Sequence, residues 1–364
     1  MNFGLILTGE NPQPWQVPSA QLYRSLLNQA VLAEELGYDS VWTAEHHGTD
    51  EYGPAQFPVL AAIAARTRRI RIGTYIVILP LYHPLQVAEE AATLDALSDG
   101  RFDLGIGQGY VVDEYAAFGI SRQERPSRME EGLTIIRGVW EQESFAFEGK
   151  RFKVAPFSLR PRPVQPRLPI WVAGRTEKAV DRAARHGCHL AGAGSAAAVQ
   201  LYDACLRRQG HDPKDFYRAT LRLVYLSDTR ERAWEECAPH VLHRMKVYTD
   251  KLNEAADDRQ TGTGGYFGVD PLPSPEKLRA AQGLHFFGAP LIVGTPEDAI
   301  QEITRRDSGD YPVTGRGRGN SLGDVDADRW DRSAPSGIFH AVVCQRGDPT
   351  LRLKTGCLIR KNDT

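Results

Sequence analysis

The strongest constraint in this 364-residue chain is an alternation. Short runs rich in β-branched and aromatic residues take turns with amphipathic runs of helix length, always in the same order. Phe3–Leu7 reads as a strand, and Ser19–Leu36 as a helix with Ser19 as N-cap and Gly37 just past its end. Asp39–Thr43 is the second strand, followed by an Ala-rich helix over Pro58–Arg68 whose basic end suits the negative pole of a helix dipole. Ile70–Leu79 is apolar on both faces, as a buried parallel strand must be. A helix over Gln86–Leu97, a strand over Phe102–Ile106 and a helix over Pro126–Glu141 come next. A Pro-rich connector, Pro156–Pro169, leads into a strand at Ile170–Ala173. Then come helix Glu177–His186, strand Cys188–Ala191, helix Ala196–Gln209, strand Leu221–Leu226 and a long helix from Thr229 to about Ala256.

Seven strand–helix units in one order imply a parallel sheet, because the crossover between parallel strands is right-handed. Closing that sheet into a (β/α)8 barrel needs an eighth strand. The segment 257–288 is Gly-rich and irregular, and Pro296–Arg306 returns to a helical pattern after Thr295. From Asp307 onward the text is Gly-, Asp- and Arg-rich, and only Ile338–Cys344 resembles a strand. The expected architecture is therefore an α/β barrel over 1–306 with an irregular insertion near 257–288. The atypical tail, 307–364, is either poorly ordered or a substitute eighth unit.

Composition narrows the partners. Lys and Arg total 44 against 46 Asp and Glu, a net charge of −2, which argues against binding nucleic acid or a membrane surface through bulk charge. The five cysteines show no C-x-x-C spacing, so neither a disulfide framework nor a thiolate zinc site is expected. The N-terminus lacks the basic start and cleavage site of a signal peptide, and the apolar stretch Tyr75–Tyr82 is too short to span a bilayer. The expectation is a soluble cytoplasmic protein.

Four motifs carry chemistry. Glu45-His46-His47 comes just after the second strand. Adjacent side chains on an extended chain point to opposite faces, so the two imidazoles are poor co-ligands and no metal site is expected. They read either as a tuned acid/base beside a carboxylate or as a hydrogen-bonded structural pair. Gly105-Ile106-Gly107-Gln108-Gly109-Tyr110 lacks dinucleotide spacing and reads as a tight turn whose backbone a flat or phosphorylated group can approach. Ala173-Gly174-Arg175-Thr176 opens a helix, either as a phosphate site or as an ordinary Thr176 N-cap. Tyr82-His83-Pro84 reads as loop closure, since the residue before proline is extended. The first three motifs each lie just past a different strand's carboxyl end, and in a barrel those ends form one mouth, where active sites sit.

These same residues carry a resemblance. Trp42-Thr43-Ala44-Glu45-His46-His47, the run from Ile72 to Pro84, Ser98-Asp99-Gly100-Arg101-Phe102-Asp103-Leu104-Gly105-Ile106-Gly107 and Pro169-Ile170-Trp171-Val172-Ala173-Gly174 together resemble the bacterial luciferase-like monooxygenases, over roughly 1–306. The resemblance implies a (β/α)8 barrel binding reduced FMN, or in one branch the deazaflavin F420, at its mouth. It implies that His46 is the active-site histidine and that Tyr75-Ile76 forms a cis peptide under the flavin ring. Glu45, Gly107 and Gln108 would be cofactor-binding, Gly174, Arg175 and Thr176 would form the phosphate turn, and His47 and Tyr110 would face the substrate.

Gln108 departs from the arginine that luciferases often carry there, a charge Arg175 would have to supply. The implied reaction oxygenates a small organic substrate with O2 through a C4a-peroxyflavin. A separate flavin reductase delivers the reduced cofactor, and the implied assembly is a homodimer. Two other readings stay open: F420-dependent hydride transfer, and a non-catalytic companion subunit or inactive relative. The tail matches neither the eighth strand nor the closing helix of that family. Either a reading-frame change or genuine divergence, with Ile338–Cys344 as the replacement strand, would produce this.

Overall fold

The computed structural model describes residues 2–13, 15–50, 52–174, 176–192, 196–256, 285–286, 289–309 and 339–346. Arg175, positions 257–284 of the expected insertion, and most of the tail lie outside the described residues. The strands are β1 (Asn2–Leu7), β2 (Ser40–Thr43), β3 (Arg71–Thr74), β4 (Val77–Ile78), β5 (Phe102–Gly107), β6 (Phe145–Glu148), β7 (Lys153–Phe157), β8 (Ile170–Ala173), β9 (His189–Ala191), β10 (Tyr217–Leu226), β11 (His285–Phe286), β12 (Ala289–Gly294) and β13 (Phe339–Arg346). The helices are α1 (Ser19–Glu35), α2 (Gln56–Arg66), α3 (Pro84–Leu97), α4 (Val112–Ala117), α5 (Arg125–Glu141), α6 (Glu177–Arg185), α7 (Ala196–Arg208), α8 (Arg230–Ala256) and a further helix, Pro296–Gly309.

Strands β1, β2, β3, β5, β8, β9 and β10 pair in that order, all parallel. The tail strand β13 then lies antiparallel between β10 and β1, with Val343 opposite both Thr220 and Phe3, so the pairings close into a ring. This is an α/β barrel in which seven staves run parallel and the eighth runs backwards. The upper half of β10 also pairs with β12, from Leu223 opposite Leu291 to Leu226 opposite Gly294.

Local chemistry explains where elements begin and stop. Ser19 is the first helical residue of α1 rather than its cap, because Pro18 takes the cap position with φ −54° and ψ 133°. Tyr82-His83-Pro84 is a helix start: His83 Nδ1 accepts the Leu85 N–H at 3.3 Å, and Pro84 fills the first helical position, where no N–H is needed. The expected long strand Ile70–Leu79 is split into β3 and β4 by a cis peptide between Tyr75 and Ile76, and a 3-10 turn over Leu79–Leu81 comes next. The Ser98-Asp99-Gly100-Arg101 motif serves the fold. Asp99 and Gly100 turn the chain with φ of 55° and 75°, and Arg101 donates to the carbonyls of Ala64, Thr67, Ile70 and Ser98, joining α2, β3 and α3.

The antiparallel pair β6–β7 is absent from the sequence reading. Its turn is fixed by Glu131, whose carboxylate accepts the N–H groups of Lys150, Arg151 and Phe152. Beyond β7, the Pro-rich connector is tied down by Asp95, which accepts from the backbone of Val164 and Gln165.

The layer between strands and helices is apolar, with Leu60, Ile63, Ile72, Leu104, Ile106, Leu133 and Ile136 fully buried. Each such side chain contributes roughly 1.5–3 kcal/mol over its exposed state. Inside the barrel, Trp42 and Trp171 meet edge to face at 5.6 Å and 82°. Trp171 donates its indole N–H to Asp103 Oδ1 at 3.1 Å, and Arg71 holds the other Asp103 oxygen at 2.6 Å. Burial pushes the Asp103 carboxyl up, against the pull of Arg71.

Candidate active site

The segment after β2 supplies three neighbouring side chains with three separate fates. Glu45 is buried, and Oε1 accepts His47 Nε2 at 3.0 Å and the Ile78 N–H at 3.3 Å. Its other oxygen accepts Gln56 Nε2 at 3.0 Å, and that same nitrogen donates to the Ile76 carbonyl at 3.0 Å. Gln56, on the first residue of α2, thereby ties the carboxylate to the cis segment 75–76. Glu45 thus faces protein on both oxygens and acts on the platform through Gln56 and Ile78.

His46 points the other way. Glu114, on α4 and 2% exposed, places Oε1 2.7 Å from His46 Nδ1 and 2.9 Å from the His47 backbone N–H. A carboxylate accepting at Nδ1 puts the proton there and leaves Nε2 as the acceptor nitrogen. The imidazole lies between the rings of Tyr52 at 4.9 Å and Tyr110 at 5.7 Å. The two histidines diverge, as an extended chain requires, each held by its own carboxylate. Burial disfavours a charged His47, but the hydrogen bond and charge of Glu45, with Glu114 behind, raise its pKa above the ordinary value.

Tyr75 and Ile76 sit over the barrel interior. The Tyr75 N–H donates to the Thr43 carbonyl at 2.6 Å, and its ring meets Trp42 at 6.1 Å. Gly107 is required beneath them, since a Cβ there would stand 2.6 Å from Ile76 Cδ1 and 3.4 Å from the Ala173 Cβ. At the next stave, Gly174 lets α6 begin against the sheet, because a Cβ would fall 2.2 Å from that of Ala179. Thr176 is the N-cap of α6, accepting the Ala179 N–H at 3.3 Å, as the N-cap reading of this turn expects. Arg175 lies outside the described residues.

Gln108 accepts the Tyr115 hydroxyl at its backbone carbonyl. A guanidinium can only donate, so the Gln108 carboxamide is assigned with its oxygen toward Arg182 on α6, where it would accept from both terminal nitrogens at 3.1 and 3.2 Å. Arg122, Arg125 and Arg128 surround Tyr115, and the buried Nη1 of Arg125 has no hydrogen-bond partner among the described residues. The start of α6, a capped helix end approached over a glycine, has the chemistry to suit an anionic group such as a phosphate.

Tyr110 belongs to a network that the sequence reading missed. It hydrogen-bonds Tyr248, which bonds the Tyr52 hydroxyl, and Tyr52 accepts from Arg244 Nη1 at 3.1 Å. Arg244 is paired with Glu10, both buried. Burial lowers the Arg244 pKa to about 10, against the pull of Tyr248, and raises that of the Tyr110 phenol, helped by Tyr248 and Glu114. The loop after β1, α4 and α8 thus meet around His46.

Sequence reasoning found the residues at the strand ends and missed the partners that hold them. Gln56, Glu114, Arg182 and Arg244 sit on helices, and a polar residue on an amphipathic helix carries no mark of facing inward. The available hint was the acidic pair Asp113-Glu114 in the otherwise largely apolar run Tyr110–Phe118. Among the described residues, no group of three or more His, Cys, Asp or Glu is placed to hold a metal. No helix among them is long and apolar enough to cross a membrane.

The family model of the luciferase-like monooxygenases matches residues 1–310. The oxygenase component of a flavin-dependent trigonelline monooxygenase from Acinetobacter baylyi is 31% identical over 194 residues, 52% of this chain and 53% of that protein. An F420-dependent glucose-6-phosphate dehydrogenase from Amycolatopsis mediterranei is 33% identical over 172 residues, 45% of this chain and 51% of that protein. The chain thus spans about half the length of these curated relatives. The crystal structure of monooxygenase RslO1 from Streptomyces bottropensis superposes with a TM-score of 0.65 at 27% identity, covering 85% of this chain and 90% of that one. The barrel, the converging strand ends and the family match over 1–310 lead to one statement: this chain belongs to the luciferase-like monooxygenases.

Proposed function

We propose that the chain is a flavin-dependent monooxygenase that takes reduced FMN from a separate flavin reductase and oxygenates a small organic substrate with O2. The observation that carries this reading is His46, held at Nδ1 by Glu114 beside the Tyr75–Ile76 platform. When bound, reduced FMN supplies the electrons that activate O2.

The chain's own residues have four tasks. Gly174, Thr176 and Gln108 receive the phosphate, with Arg175 contributing from the same turn. Tyr75, Ile76 and Gly107 form the floor beneath the ring, kept in place by Glu45 through Gln56. His46 accepts or returns a proton at Nε2, because Glu114 occupies Nδ1. Trp42, Trp171 and Tyr75 fill the barrel below and exclude water, which protects a reactive oxygen species from loss. His47 and Tyr110 stand toward the substrate, and Tyr110 shares its hydroxyl network with Tyr52 and Tyr248.

Similarity to the F420-dependent dehydrogenase supports a second reading, hydride transfer with F420 on the same platform. Anaerobic titration with reduced FMN and with reduced F420, followed by exposure to O2, separates the two. The first reading expects saturable binding of reduced FMN and oxygen consumption on mixing. Binding of F420 alone overturns it in favour of the second, and binding of neither overturns both.

A further inference from the structure

We propose that Tyr248 is a positioning residue for His46: its hydroxyl joins the hydroxyls of Tyr52 and Tyr110, and the two joined rings set the tilt of the imidazole. This rests on the reading of His46 as the group that moves a proton, and it gives a task to a helix residue that no strand-end motif contains.

One hydrogen bond does not orient a ring. The contact of His46 Nδ1 with Glu114 Oε1, at 2.7 Å, fixes the place of a single nitrogen. It leaves the ring free to pivot about that point, and the terminal torsion of a histidine is broad. The remaining constraint is packing. The Tyr52 ring lies 4.9 Å from the imidazole, centroid to centroid, at 58°, and the Tyr110 ring lies 5.7 Å away at 78°. Such contacts are worth about 0.5–1.5 kcal/mol each, and they hold the imidazole only as firmly as the phenols are held themselves.

The two phenols come from different loops. Tyr52 follows β2 and Tyr110 follows β5, while Tyr248 reaches both from α8, 196 positions beyond Tyr52. All three lie in or against one apolar cluster with Ala233, Val241 and Met245, where a hydroxyl bond is stronger than in water. A phenylalanine would fill nearly the same space as Tyr248, so the hydroxyl matters for the bonds it makes. The junction is also anchored. Arg244 Nη1 donates to the Tyr52 hydroxyl at 3.1 Å and is paired with the buried Glu10. Burial, helped by Tyr248 and Glu114, pushes the Tyr110 phenol well up, so it keeps its proton at neutral pH.

The tilt is read first in the flavin-free, full-length protein carrying isotope-labelled histidine. The signal of the His46 Nδ1 proton, identified by its absence from His46→Gln, reports how often the ring leaves Glu114. Tyr248→Phe is expected to speed exchange of that proton with solvent about tenfold, the worth of one hydrogen bond. The tautomer should not change, because Glu114 sets it. The complex with reduced FMN is then mixed with O2 in a stopped-flow instrument. The variant should reoxidise its flavin about tenfold more slowly, with the affinity for reduced FMN within about twofold of the wild type. The double variant Tyr110→Phe with Tyr248→Phe should be no worse than Tyr248→Phe alone, because the two hydroxyls share one bond.

Unchanged exchange in a folded Tyr248→Phe, or losses that add in the double variant, overturns the proposal. If Tyr248→Phe does not fold, Tyr110→Phe opens the same junction from its other end and carries the same expectation. Faster exchange with unchanged reoxidation overturns the reading of His46 as the proton carrier. A wild type that does not bind reduced FMN overturns the FMN reading, whereas the exchange measurement, which needs no flavin, still decides the role of Tyr248.

Discussion

Glu114 reaches His46 from a helix 68 positions along the chain, with Oε1 2.7 Å from Nδ1, and the same oxygen takes the His47 backbone N–H at 2.9 Å. One buried carboxylate therefore sets both the ring orientation of one histidine and the backbone path of the next. Glu114→Gln keeps the size and loses the charge, and should lower kcat by about 10²-fold, the range of a positioned acid/base. The FMN affinity should stay within about twofold. Stopped-flow turnover and flavin binding check the two halves, and the share of O2 released as hydrogen peroxide should rise.

The Glu10–Arg244 pair should behave as a buried ion pair. Arg244→Met leaves the buried Glu10 carboxylate without its cationic partner and should destabilise by about 3–5 kcal/mol. The double variant Glu10→Leu with Arg244→Met should recover most of that loss. Urea unfolding of the four species measures the coupling, and simple additivity would show that the pair does not act as a unit.

Gly174→Ala adds a methyl 2.2 Å from the Ala179 Cβ, where neither group can swing aside. Overpacking of this kind costs about 1–3 kcal/mol, and the start of α6 must shift. Thermal melts should fall accordingly, and the preference for FMN over riboflavin should fall with them.

Acid should weaken the α5–α6 contact through Glu130. Burial opposes ionisation, yet His186, Arg182 and Arg185 hold the folded pKa at about 2, below the unfolded value of 4.5. The stabilisation is therefore complete above about pH 4.5 and is lost as pH falls toward 2. Melting temperatures recorded from pH 6 to 3 should drop less steeply for Glu130→Gln than for the wild type.

Truncation after Gly309 should open the ring. Without β13, the facing edges of β1 and β10 expose unpaired backbone groups over Asn2–Ile6 and Tyr217–Val224. The shortened protein is expected to form larger species in size-exclusion chromatography. A monodisperse product with an unchanged melting temperature would show that β13 contributes nothing to closure.

Much of the barrel was legible because its strands announce themselves through composition and its helices through period. Phe102–Ile106 and Ile170–Ala173 read as strands from β-branched and aromatic content alone, and both are in the ring. The misses have physical causes. The pair β6–β7 sits in a Pro-rich stretch and depends on Glu131, a residue of another element. Helix α4 has six residues, too few to display a period. Strand β3 ends at Thr74 because the chain bends at Tyr75–Ile76, which an apolar run does not reveal. Ile338–Cys344 was legible as a strand, and the tail strand spans Phe339–Arg346, but its direction was not, since side-chain alternation is the same read either way. His46, Gln108 and Thr176 could be named from motifs, whereas the groups that aim them come from distant helices.

The reversed stave changes how the mouth is furnished. Seven staves deliver the chain to that face on its way out of the sheet, and the loops they release there are free to vary. At β13 the traffic runs the other way: the strand begins at Phe339, opposite Val224, and ends at Arg346, opposite Tyr217. An insertion grafted at that rim position would therefore have to precede its strand rather than follow it.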